Sequence, residues 1–124
     1  MWVGKTKLFA RWAVKEGLAD KVLMRAIDEM SDGSVEANLG GDVYKKRVAI
    51  PGRGKRGGAR TLIAFKKDDK AFFIYGFTKN EQANINPDEL KALKQYAKQL
   101  LRHDEKAITK MLKAGTIIEV NNDG

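Results

Sequence analysis

Two spacings of apolar residues divide the chain. Leu8, Phe9, Trp12 and Ala13 recur at helical spacing up to Gly17, a helix stop. Val22, Leu23, Ala26, Ile27 and Met30 form a second helical stripe, with Asp20 placed to cap it and Ser31-Asp32-Gly33 to end it. Trp2–Thr6 reads as a short first strand, residues 34–38 are ambiguous between strand and coil, and Gly40-Gly41-Asp42 signals a turn. The period then changes to two. Val43–Ile50 reads as a strand with Lys45 and Arg47 on one face and Lys46, Val48 and Ile50 on the other. Residues 51–58 read as a loop, 60–65 as the next strand and 66–70 as a polar hairpin connection. Residues 71–79 are apolar on both faces, which predicts a central strand covered by helices on at least one side. Asn86, Pro87 and Glu89 mark a strong helix start, followed by Leu90, Leu93, Ala97, Leu100 and Leu101 at helical spacing. Asp104 restarts a helix carrying Ile108, Met111 and Leu112, closed by Gly115; residues 116–120 suggest a last strand and 121–124 a frayed end. The pattern predicts an α+β fold, a small antiparallel sheet flanked by helices, in one domain over residues 1–124.

Composition narrows the partners. The chain has 124 residues, of which 43% are hydrophobic, enough to build a core. Its net charge of +8 points to a polyanion, either nucleic acid or an acidic protein that masks the basic face. A membrane surface fits less well, because no long basic amphipathic helix stands out and the apolar run at residues 71–77 is far too short to span a bilayer. The start MWVGKTKLFARW has no apolar signal region, and cysteine is absent, which excludes disulfides and thiolate metal sites and fits a reducing cytoplasm.

The candidate chemistry lies in residues 45–84. Lys45, Lys46, Arg47, Arg53, Lys55, Arg56 and Arg60 follow one another with no acidic residue between them, and Gly52, Gly54, Gly57 and Gly58 are interspersed. Glycines let a backbone approach a ligand closely, and clustered guanidinium and ammonium groups select phosphate. Gly52, Gly54 and Gly57 spell GxGxxG, but that fingerprint opens a helix in a βαβ unit, whereas this one leads into a strand. Lys55 is followed by Arg56, so the P-loop order is absent too. His103 is the only histidine and sits near a helix end, and no His/Cys/Asp/Glu spacing suits a metal. Phe72, Phe73 and Phe77 read as core, while the hydroxyl of Tyr75 makes it a candidate surface contact for RNA. An enzyme built from cations alone can cleave RNA. The substrate's 2′-hydroxyl is the nucleophile, positioned cations stabilise the phosphorane, and a lysine crowded by other cations can accept a proton. No cofactor and no metal is required.

The blocks KKRVAIPGRGKRGGARTLIAF and FFIYGFTKNEQANI, with FARWA, LGGDVYKKR and NINPDELKALKQYA, closely resemble the RelE/HigB branch of the RelE/ParE toxin superfamily over nearly the whole chain. The resemblance implies the toxin of a bacterial toxin–antitoxin pair, a cytoplasmic endoribonuclease that cleaves mRNA on the ribosome and is neutralised by a cognate antitoxin. By position it makes Arg60, Lys55, Arg53 and Lys79 the catalytic cations. The remaining cations of the block, Lys45, Lys46, Arg47 and Arg56, with Tyr75 and Asn80, are expected to contact the RNA. Two positions depart from the pattern. Asn80 stands where the best-studied RelE toxins have a second cation, and Asn86 stands nearest their catalytic tyrosine, so the general base is not identified. Two other readings stay open: a gyrase poison of the same fold, disfavoured by the cation cluster, and a non-catalytic nucleic-acid-binding or regulatory module.

Overall fold

The computed structural model describes residues 1–52 and 54–121, with the side chains of residues 54–57 outside that description. Strand β1 (Trp2–Thr6) leads into helix α1 (Lys7–Glu16), where the Thr6 hydroxyl accepts a bond from the Phe9 amide at 3.1 Å and Gly17, at φ 75°, ends the helix. Phe9 and Ala13 of the expected stripe are buried, whereas Leu8 is 66% exposed, because the inward face is centred on Phe9, Ala10 and Ala13. Helix α2 (Asp20–Ser31) buries Leu23, Ala26, Ile27 and Met30. Asp20 is not its cap. Ala19 holds that position without a side-chain bond, and the Asp20 carboxylate instead accepts from Lys5 Nζ at 2.7 Å and from the Asn121 amide at 3.0 Å. Asp20 thus ties α2 to β1 and to the segment after the last strand, so Asn121 is anchored; residues 122–124 lie outside the described residues.

Four strands follow in antiparallel order: β2 (Ala37–Gly40), β3 (Val43–Ile50), β4 (Gly54–Lys66) and β5 (Lys70–Thr78). The segment expected as a loop at residues 51–58 is a short turn at Pro51 and Gly52, and the chain is back in a strand at Gly54. Val48 pairs with Ala59 and Ile50 with Gly54, so two steps along β3 match five along β4. The excess forms a bulge. Residues without a Cβ tolerate such a ladder irregularity, and the same glycine content made the segment resemble a loop in sequence.

Helices α3 (Pro87–Arg102) and α4 (Glu105–Ala114) precede β6 (Ile117–Glu119). Asn86 Oδ1 accepts from the Glu89 amide at 3.0 Å, Asp104 Oδ1 from the Ala107 amide at 2.8 Å, and Gly115 closes α4 at φ 77°. The strand order is β2-β3-β4-β5-β1-β6. All pairings are antiparallel except β1 with β5, because the first strand joins the sheet beside the last strand of the meander, running in the same direction. Helices cover both faces of the central strand: Ala71 and Phe73 pack with α1 and α2, Phe72 and Ile74 with α3 and α4. The β4–β5 register shifts so that Leu62 pairs with Tyr75 and Ile63 with Phe73, leaving Ile74 as an extra residue. Beyond it Tyr75 joins the α3 face with Phe72 and Ile74, and Phe77 comes opposite Arg60.

Candidate nucleic-acid interface

Arg60 shares the α3 face of β4 with Leu62, while Ala59 and Ile63 point to the α1/α2 face. Its neighbour across β3 is Arg47, and across β5 it is the buried Phe77. Two like charges directly opposite on adjacent strands repel. Glu36, just before β2, compensates them. Its Oε2 lies 3.2 Å from Arg60 Nε in an ion pair, its Oε1 accepts from Arg47 Nη2 at 3.4 Å, and its own amide donates to the Lys45 carbonyl at 2.8 Å. The Arg60 side chain is only 11% exposed, against 43% for Arg47 and 27% for Glu36. Arg60 Nη1 is enclosed and has no hydrogen-bond partner among the described residues. A charged donor in that state costs about 1–3 kcal/mol or more, a cost that an incoming anion would remove.

The predicted residues separate by face. Lys45 lies half-buried on the same side of β3 as Arg47. Lys46 lies on the opposite side, buried under α2, its Nζ 2.8 Å from Glu29 Oε1 and 3.2 Å from Ser34 Oγ. Lys79 and Asn80 are exposed in the turn after β5. That turn is fixed by Glu81, whose Oε1 accepts from the Thr78 amide at 2.8 Å and from Trp12 Nε1 of α1 at 3.0 Å. Burial alone would raise the Glu81 carboxyl, but the bonds from Trp12 and Thr78 outweigh it and hold the group below its ordinary range. The Tyr75 hydroxyl donates to Gln82 Oε1 at 2.9 Å and lies 3.5 Å from Glu89 Oε2, so it is tied to the approach to α3. Burial, then the negative charge of Glu89, raises its pKa. Arg53 and the side chains of Lys55 and Arg56 lie outside the described residues, although the backbone of Lys55 and Arg56 runs in β4. His103 caps the end of α3 with its Nδ1 bonded to the Gln99 carbonyl.

Sequence reasoning missed Glu36, Glu81 and Trp12. Glu81 and Trp12 sit inside the blocks that carried the resemblance, but nothing local shows that they touch. Glu36 lies in the segment whose structure was ambiguous, and no spacing links it to Arg60. Among the described residues no cluster of three or more His, Cys, Asp or Glu is placed to hold a metal, and no helix is long and apolar enough to cross a membrane.

The arginine pair lies on the sheet beside the turn at Lys79 and Asn80, and guanidinium groups so placed are able to bind a phosphate. The family model described as the RelE toxin of the RelE / RelB toxin-antitoxin system matches residues 1–120. The chain belongs to the RelE toxin family. It is therefore the toxin of a toxin–antitoxin pair, with a cognate antitoxin implied as its partner. RelE toxins are generally endoribonucleases that inhibit translation. In this RelE-family chain the match runs through α3 and α4, which complete the second core with Ala97, Leu100 and Ile108.

Proposed function

We propose that this RelE-family toxin cleaves mRNA on the cytoplasmic ribosome by metal-independent transfer of the phosphodiester to its own 2′-hydroxyl. The observation that carries the reading is Arg60: nearly enclosed, ion-paired through Nε to Glu36, with Nη1 unpartnered among the described residues, and set beside Arg47. In this reading the 2′-oxygen attacks the adjacent phosphorus as the P–O5′ bond breaks, leaving a 2′,3′-cyclic phosphate and a 5′-hydroxyl. Arg60, with Arg47, neutralises charge gathering on the phosphorane oxygens, which a preorganised guanidinium does without reorganising in the transition state. Lys55, set in sequence between Arg53 and Arg56, takes the 2′-hydroxyl proton, and protonated Lys79 gives a proton to the leaving 5′-oxygen, while Arg53 adds charge at the phosphate. Lys45, Arg56, Tyr75 and Asn80 hold the flanking RNA. Lys46 is left out, since its ammonium is committed to Glu29 on the other face.

The test is incubation of purified toxin with ribosomes carrying a defined mRNA, with cut sites mapped by primer extension and 3′ ends tested for cyclic phosphate. Ribosome-dependent cuts with cyclic phosphate ends are expected. Intact mRNA accompanied by gyrase inhibition, or by RNA binding alone, would overturn the reading in favour of a gyrase poison or a binding module.

A further inference from the structure

We propose that Glu36 is a positioning residue whose carboxylate holds Arg60 and Arg47 side by side so that both can grip one RNA phosphate. The proposal rests on the ribonuclease reading and assigns a role to a residue that no basic motif would select. Three features of the structure carry it. First, Arg47 and Arg60 are register partners on β3 and β4, an arrangement that repels unless an anion lies between them. Glu36 is that anion, with one oxygen on each guanidinium.

Second, the carboxylate engages only Nε of Arg60 and one Nη of Arg47. An arginine has five N–H donors, and a carboxylate or phosphate bound as a ligand prefers the two-pronged grip on parallel N–H groups. Glu36 binds in the opposite manner. It sits against one nitrogen of each arginine and leaves the rest, including Arg60 Nη1, which has no partner among the described residues. This is how a brace binds, and a carboxylate imitating the substrate phosphate would use the paired donors instead. Third, Glu36 is itself anchored: its amide donates to the Lys45 carbonyl, and the following Ala37 pairs with Lys45. The brace therefore hangs from the sheet that carries both arginines. Arg47, at 43% exposure, has no other side-chain bond among the described residues to keep its guanidinium from swinging into solvent.

The experiment compares the full-length wild-type chain with Glu36→Gln, which keeps the shape and loses the charge, and Glu36→Asp, which keeps the charge and shortens the reach. Cleavage on ribosomes is followed under single turnover at increasing ribosome concentration. A misaligned phosphate grip is expected to lower the saturating rate roughly 10- to 100-fold in both variants while leaving half-saturation unchanged. The Arg60 Nε–H resonance, read by nitrogen-resolved NMR, is expected to move in both variants, because the carboxylate 3.2 Å from Nε is neutralised in one and withdrawn in the other. Inorganic phosphate added to the wild type is expected to shift the Arg47 and Arg60 side-chain resonances together. Cleavage by either variant at or above the wild-type rate overturns the proposal, and a faster rate would make Glu36 an internal competitor of phosphate. An unchanged Arg60 Nε–H signal in the variants overturns it whatever the cleavage result. If the wild type itself cuts no mRNA, the ribonuclease reading fails, and the resonance and phosphate measurements still decide the role of Glu36.

Discussion

Replacing Arg60 with methionine separates catalysis from stability. Methionine keeps an apolar stem of similar reach, so the packing of the arginine's methylenes beside Phe77 is largely retained. What disappears is the guanidinium. Three stability terms follow. The ion pair to Glu36 is lost, but Glu36 is 27% exposed and keeps Arg47, so its re-solvation limits the loss to about 1 kcal/mol. The enclosed Nη1 is relieved, a gain of about 1–3 kcal/mol. The opposition of Arg47 and Arg60 is removed, worth roughly 0.2–1 kcal/mol. The sum predicts a stability raised by roughly 0.2–3 kcal/mol. Catalysis should move the other way, since loss of one preorganised donor costs about 3–4 kcal/mol of barrier, or roughly 10²–10³ in rate. Denaturant unfolding of the purified variant gives the first number, and primer-extension cleavage on ribosomes gives the second. Unfolding free energy lowered by about 3 kcal/mol or more would make Arg60 a structural brace and refute the ledger. Cleavage near the wild-type rate would remove Arg60 from the mechanism.

Three further outcomes are expected. Lys46→Met should keep ribosomal cleavage near wild type, because Lys46 faces α2 and Glu29 rather than the Arg60 face, and Glu29, at 43% exposure, stays solvated when the ammonium is lost; a large loss of cleavage with the fold intact would return Lys46 to the RNA surface. Gly76→Ala should destabilise the protein by about 1–3 kcal/mol, read as a lower melting temperature, because a methyl there runs into the Trp12 ring, which is held in place by Glu81. Burial raises the pKa of Tyr75 and of Tyr96 above 10.0, so their neutral forms favour the folded state; that stability is fully present below the unfolded value and is lost as pH rises through the folded one. Tyrosinate absorbance should therefore develop at higher pH in the native protein than in urea, with part of the lag removed in Tyr75→Phe; coincident native and unfolded titrations would contradict it.

Much of the architecture was legible along the chain because its signals are short-ranged. Asn86 and Asp104 accept bonds from amides three residues on, and Gly17 and Gly115 stop their helices in the left-handed conformation, so each boundary is encoded within one turn. The two-residue alternation of Val43–Ile50 showed which side of β3 each lysine and arginine would take, and the apolar residues of β5 showed that both its faces would be covered. The same alternation could not reveal the extra residue at Ile74, which turns Tyr75 to the α3 face, since a bulge is a property of the pairing and not of one strand. Nor could composition distinguish a glycine-rich loop from the bulged start of β4. The decisive contacts join residues far apart: Trp12 meets Glu81 across 69 positions and Asp20 meets Asn121 across 101. Sequence alone determined that this chain carries a cluster of cations on a sheet flanked by helices. Tertiary structure decided that Arg47 and Arg60 stand together under Glu36 while Lys46 turns away, because strand register brings distant side chains together and no local period records it.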